Sequence, residues 1–279
     1  MKTLIPAVLA VLAALVLATG TGAQDAPPPS VDPLHRAFDG ILDIYVRDGL
    51  VYYQALKLER ARFDRYVASL GETDVPESWD QKRRLAFWIN AYNAFVLRTV
   101  IDHYPIRGRA AAYPPNSIRQ VPGAFERRQF RAARRMVTLD QIEKDIIVPL
   151  GDARALLALG RGALGGGRLK SEAYTAERLD EQLDSMLREA VDRRELVFVD
   201  PQNGVVSVNP MFSWRERAFI EAFAGKAAPE FAARSPLERA LLGLIAPVVV
   251  RSEAEFLKAN RFRVAFHDFD WRLNDLTRR

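Results

Sequence analysis

Apolar residues recur along this chain at two spacings, and the helical one dominates. Between residues 35 and 48, Phe38, Ile41, Leu42, Tyr45 and Val46 return every three or four positions until Gly49 ends the run. That is the pattern of a helix with one buried face and a glycine stop. Residues 50–53 read as a short extended piece, and residues 55–70 as a second helix stopped by Gly71. The strongest signal covers residues 82–103 and closes before Pro105. There Leu85, Ile89, Tyr92, Phe95, Val96 and Thr99 share one broad arc at about 100° per residue. Residues 138–148 (TLDQIEKDIIV) predict a helix capped by Thr138, with Gln141 at the capping-box distance. Further helical stretches are expected at 174–191, 211–223, 237–249 and 253–259. Alternation replaces helical spacing at 196–200 and 205–208, a hairpin across Pro201-Gln202-Asn203-Gly204, and in a last strand at 262–266. The pattern predicts an α+β fold, helix-rich with a small antiparallel sheet.

Three stretches break the pattern. Residues 107–135 are irregular and carry eight arginines against one acid, a charge density that could bind an anionic surface. Their aromatic residues are only Tyr113, Phe125 and Phe130, too few for a single-stranded nucleic-acid platform. Nucleic acid is therefore not an expected partner, and an anionic cell-envelope component is the partner class left open. Residues 160–167 (GRGALGGG) tempt a phosphate-loop reading, but Arg168-Leu169 follow where a Lys and a Ser or Thr are needed. A flexible loop is the expectation there. Residues 155–159 read as a buried strand or helix turn.

The N-terminus adds a location. Lys2 precedes an apolar run from Leu4 to Ala18, and small residues follow at Thr21, Gly22 and Ala23. This is the layout of a secretory signal peptide over residues 1–23. Residues 24–33 (QDAPPPSVDP) read as a flexible or polyproline leader, and residues 34–279 as a single domain. A periplasmic or secreted protein is expected, with no transmembrane anchor after cleavage. The chain has no cysteine, which excludes disulfides, thiolate metal sites and thiol nucleophiles together. His35, His103 and His267 are too far apart in sequence to suggest a metal site. No metal or cofactor is expected. Forty basic against thirty-five acidic residues give a formal charge of +5, nearly all from arginine.

One feature inside the strongest helix needs an account. Asn90 and Asn93 interrupt the apolar run AFWINAYNAFVL on one side of the wheel. An unpaired buried amide costs about 1–3 kcal/mol, so each needs a partner. Either they tie the helix to loop backbone or they line a pocket.

The stretch AFWINAYNAFVLRTVIDHYP, with the preceding YVRDGLVYYQAL, resembles the bacterial and plant family known as domain of unknown function 547. The similarity continues through TLDQIEKDII, GDARALLAL, AYTAERLDEQLD and VVSVNPMFSW, and closes on FDWRLND. The departures are informative. Where the family has Ile-Glu-His, this chain has Ile142-Glu143-Lys144; where it has Arg-x-His, this chain keeps Arg154 but carries Leu156; where it has a cysteine, this chain has Gly166. A cysteine with two histidines is the composition of a thiol nucleophile and its base. On that reading this chain is a pseudoenzyme, a non-catalytic binding or interaction protein, with no catalytic residue of that type. Asn90, Asn93, Glu143 and Arg154 would then line the pocket, beside the degenerate positions Lys144, Leu156 and Gly166. The alternatives are a hydrolase using non-thiol groups, with Glu143 as general base, an envelope binder acting through residues 107–135, or a purely structural role for those family positions.

Overall fold

The computed structural model describes residues 32–277. The expected signal peptide lies outside the described residues, as does nearly all of the leader. Helix α1 (Arg36–Tyr45) leads into a two-residue hairpin, β1 (Val46–Arg47) and β2 (Leu50–Val51), turned by Asp48 and Gly49, both at positive φ. The helix expected at 55–70 is two helices, α2 (Tyr53–Leu58) and α3 (Ala61–Glu72), broken at Glu59 and Arg60. Helix α4 (Gln81–His103) matches the strongest sequence signal and is capped by Asp80, whose carboxylate accepts from Arg83 N.

Helix α4 runs through the interior of the described residues. Every residue from Leu85 to Leu97 is buried, so it has no solvent face along this stretch and behaves as a helix enclosed by its neighbours. Helices α2 and α3, the segment after Thr138 and the segment before Gly160 all pack on it. Asn90 and Asn93 therefore sit in the interior, not on a polar shoulder.

The irregular arginine-rich stretch holds a short 3₁₀ turn (Ile118–Gln120) and a hairpin that the pattern did not predict, β3 (Phe130–Ala132) with β4 (Arg135–Val137). Ala133 and Arg134, both at positive φ, form its two-residue turn. The turn amides bond Leu70 O and Gly71 O at the end of α3, which holds the hairpin against the helix.

Thr138 caps α5 (Leu139–Gln141) with the expected box. The chain then widens into a π-helical turn, Ile142–Ile147, and tightens into two 3₁₀ segments, Val148–Leu150 and Ala153–Ala158. Helix α6 (Leu179–Asp192) precedes the hairpin β5 (Val197–Asp200) and β6 (Val205–Val208). Helices α7 (Met211–Trp214), α8 (Glu216–Phe223), α9 (Pro236–Ile245) and α10 (Arg251–Lys258) follow. Strand β7 (Arg263–Phe266) completes the three-stranded sheet, parallel to β6. The fold is α+β and helix-rich, with small, mainly antiparallel sheets.

Candidate functional site

Both asparagines of α4 are committed to backbone. Asn90 Nδ2 donates to Tyr174 O at 2.8 Å, and Tyr174 N donates back to Asn90 Oδ1 at 2.9 Å. Asn93 Nδ2 donates to Ala158 O at 3.0 Å while Gly160 N donates to Asn93 Oδ1 at 2.9 Å. Each carboxamide pairs like a peptide group in a β-ladder, satisfying loop backbone that has no strand beside it. Gln182 and Asn209 do the same elsewhere. Gln182 bridges Thr175 N and Ala173 O, and Asn209 bonds Met211 N, Gly165 O and Glu195 O. Asn90 and Asn93 line none of the cavities described below, which corrects their reading as pocket residues.

The glycine-rich segment 160–167 is pinned and close-packed rather than a flexible loop. Gly165 N bonds Asp270 O and Leu164 N bonds Arg272 O. Arg193 donates to the carbonyls of Gly166 and Leu164. A Cβ on Gly167 would lie 1.9 Å from Leu157 O, and one on Gly165 would lie 2.7 Å from Asp270 N. Backbone approaches backbone so closely that only glycine fits.

The other expected site residues do not converge. Arg154 lies in a carboxylate clamp, donating to Asp152 at 2.7 Å, Asp180 at 2.8 Å and Asp184 at 2.6 Å, which ties the 3₁₀ segment to α6. The bond to Asp152 is the main cause that raises its proton affinity further, against a smaller opposing effect of burial. Lys144 is half-exposed and pairs with Asp140 at 2.8 Å. Leu156 is buried and lines a cavity of about 520 Å³ with Val148, Gly151, Ala218 and Ala222. Gly166 lines another, of about 350 Å³, with Arg168, Arg193, Glu195 and Asn274. Lys144, Leu156 and Gly166 therefore share none of these cavities. A Cβ at Gly166 would face Arg161 backbone, 3.0 Å from its nitrogen.

Glu143 alone of the nominated residues enters a chemically rich cavity. It sits on the π-helical turn, a local widening that recurs at functional sites. Glu143 is 5 % exposed and Arg161 3 % exposed, and Arg161 Nη2 donates to Glu143 Oε2 at 2.8 Å. The other carboxylate oxygen lies 3.2 Å from Arg215 Nε. Arg215 Nη2 in turn reaches Asp140 at 3.1 Å. Burial works against the charge on Arg161, but Glu143 and Tyr92 together outweigh it and raise the guanidinium above its ordinary value. The cavity measures about 240 Å³ and adds Arg119 and Glu126 to these charges.

Three aromatic residues, Phe125, Trp214 and Trp271, supply its apolar surface. The two indoles are nearly parallel, with ring centroids 6.0 Å apart. Arg119 lies over Phe125 at 4.5 Å and over Trp271 at 4.7 Å, and Arg161 lies 5.3 Å from the Trp214 ring. The chain leaves the helical conformation at Arg215 (φ −133°, ψ 44°), between α7 and α8. Trp271 comes from the C-terminal FDWRLND stretch, which is fastened to the glycine-rich segment by the bridge Ala163–Leu273. Behind this lining stands Tyr92 of α4, whose hydroxyl is fully buried with no hydrogen-bond partner among the described residues. Burial pushes its proton affinity up, and Arg161, Glu143, Arg119 and Arg215 all act on it electrostatically.

Such a cavity has recognition groups, namely guanidinium donors, ion-paired carboxylates and ring faces. Among the described residues no group of His, Asp and Glu is placed to hold a metal ion. Residues 76–189 match the family described as Protein of unknown function, DUF547. The chain contains a DUF547 domain. The matched residues include α4, the π-helical turn, Arg119 and Arg161. Trp214, Arg215 and Trp271, which complete the cavity, lie beyond the matched residues. No curated protein and no solved structure matches the chain.

Sequence reasoning nominated Glu143 but missed Arg161, Arg215, Trp214 and Trp271. The available signal was a repeated Trp-Arg dipeptide, Trp214-Arg215 and Trp271-Arg272, in two segments that carry the family resemblance.

Proposed function

We propose that this DUF547 protein is an exported, non-catalytic binding protein whose ligand occupies the cavity between Glu143, Trp214 and Trp271. The observation that carries this reading is the engagement of both Glu143 oxygens by Arg161 and Arg215. A carboxylate held by two guanidinium groups is a structural frame and a poor general base. The ring faces beside it are suited to holding a ligand. Support for non-catalytic binding thus comes from the cavity's own chemistry and not from a lost nucleophile, because Lys144, Leu156 and Gly166 line no common space.

A thermal-shift screen of small molecules on the full chain and on Trp271→Ala tests the reading. A ligand that raises the melting temperature of the parent and not of the variant, without being consumed, is the expected result. Turnover of that ligand, abolished by Glu143→Gln, would establish the hydrolase instead. Export is tested separately by fractionating cells and sequencing the N-terminus of the mature protein, with cleavage after residue 23 expected.

A second reading has an observation of its own. Arg127, Arg134 and Arg135 are exposed and form no ion pair among the described residues, and Arg134 and Arg135 directly precede the exposed Met136 in the chain. An anionic envelope surface would attract this face, and co-sedimentation with anionic vesicles that falls steeply with salt would reveal it.

A further inference from the structure

The geometry points to a ligand class for the same cavity: a singly charged carboxylate carried on one ring. This inference rests on the binding reading above and adds the charge and size of the ligand. Three observations lead to it.

The first is unmet donor capacity. Arg119 Nε, in the lining, is hidden from solvent and makes no hydrogen bond among the described residues. Arg215 Nε, though 3.2 Å from Glu143 Oε1, lacks a hydrogen-bonding angle. Buried donors without acceptors are costly, and an incoming oxygen anion would relieve that cost after small shifts of the arginine side chains.

The second is charge. Arg119, Arg161 and Arg215 line the cavity against Glu126, Asp140 and Glu143, and the half-exposed Lys144, outside the lining, shares Asp140 with Arg215. Four cations meet three carboxylates, which leaves room for one negative charge. A dianion would face those same carboxylates with no further cation to balance it.

The third is space. At about 240 Å³ the cavity is smaller than the usual pocket for a drug-sized ligand, roughly 300–1,000 Å³. One ring laid on Trp271 or Trp214 fits within it, with the carboxylate directed at Arg119 and Arg215.

Isothermal titration calorimetry on the full chain tests this with benzoate and glucuronate, the aromatic and the sugar form of a ring carboxylate. Benzyl alcohol and glucose serve as their neutral counterparts. At least one acid is expected to bind about tenfold or more tightly than its neutral counterpart. Arg119→Gln should lower that affinity about tenfold while the variant stays folded by circular dichroism, since its ion pair is with the half-exposed Glu126 and its other contacts are the Phe125 and Trp271 rings. Which acid wins identifies the source of the ring. Equal binding of acid and neutral forms would overturn the charge assignment while leaving the binding reading intact. Failure of both acids to bind would overturn the inference, and the screen of the preceding section would then decide the binding reading by itself.

Discussion

Arg161 and Glu143 form a salt bridge at 2.8 Å in which both side chains are more than nine-tenths buried. The pair joins the segment after the 3₁₀ stretch Ala153–Ala158 to the π-helical turn, and together with Arg215 it frames the candidate site. Glu143→Ala would leave a guanidinium charge uncompensated in the interior. Loss of about 3–5 kcal/mol is expected from urea unfolding, as for other broken buried pairs. The double variant Glu143→Leu with Arg161→Met should recover much of that loss. Equal stability of parent and Glu143→Ala would show that water reaches the pair.

Asn93→Ala removes both arms of the clasp on Ala158 O and Gly160 N. With two buried backbone groups orphaned, a loss of about 2–4 kcal/mol is expected, seen as a fall of several degrees in melting temperature. An unchanged melting temperature would contradict the clasp.

The glycine-rich segment predicts a sharp contrast between two alanine substitutions. Gly167→Ala drives a methyl into Leu157 O at 1.9 Å, whereas Gly225→Ala meets nothing within 4 Å. The first should yield little folded protein by circular dichroism. The second should be neutral within about 0.5 kcal/mol.

His35 makes stability depend on pH. Its ring is buried beside Tyr66, and burial lowers its pKa from 6.5 to about 4, with Asp32 opposing. Between those values the unfolded chain binds a proton that the folded chain refuses, so stability falls as pH drops from about 6.5 to about 4. The full effect is about 3 kcal/mol at 1.36 kcal/mol per unit. Denaturant titrations at pH 7 and pH 4.5 should show this loss in the parent and a smaller one in His35→Gln.

Helix positions were legible where the apolar period was strong. The expected 82–103 is observed as Gln81–His103, and the Thr138 capping box is present. Less legible was what local pattern does not encode. The break at Glu59 and Arg60, the π-helical turn and the β3–β4 hairpin arise from tertiary contacts. The parallel pairing of β7 with β6 joins residues some 60 positions apart. Glycine clustering was read as freedom, yet at Gly165 and Gly167 it reflects close backbone approach. The candidate site drew its walls from five separate segments, so only Glu143 could be nominated from a motif.

The cavity as the ligand site is tested most directly by the indole N–H signals of the four tryptophans, Trp79, Trp88, Trp214 and Trp271. With nitrogen-15-labelled protein, titration of the tightest ligand should shift the Trp214 and Trp271 signals and leave Trp79 and Trp88 in place. Shifts confined to Trp79 or Trp88, or no shift at a saturating concentration, would contradict the account.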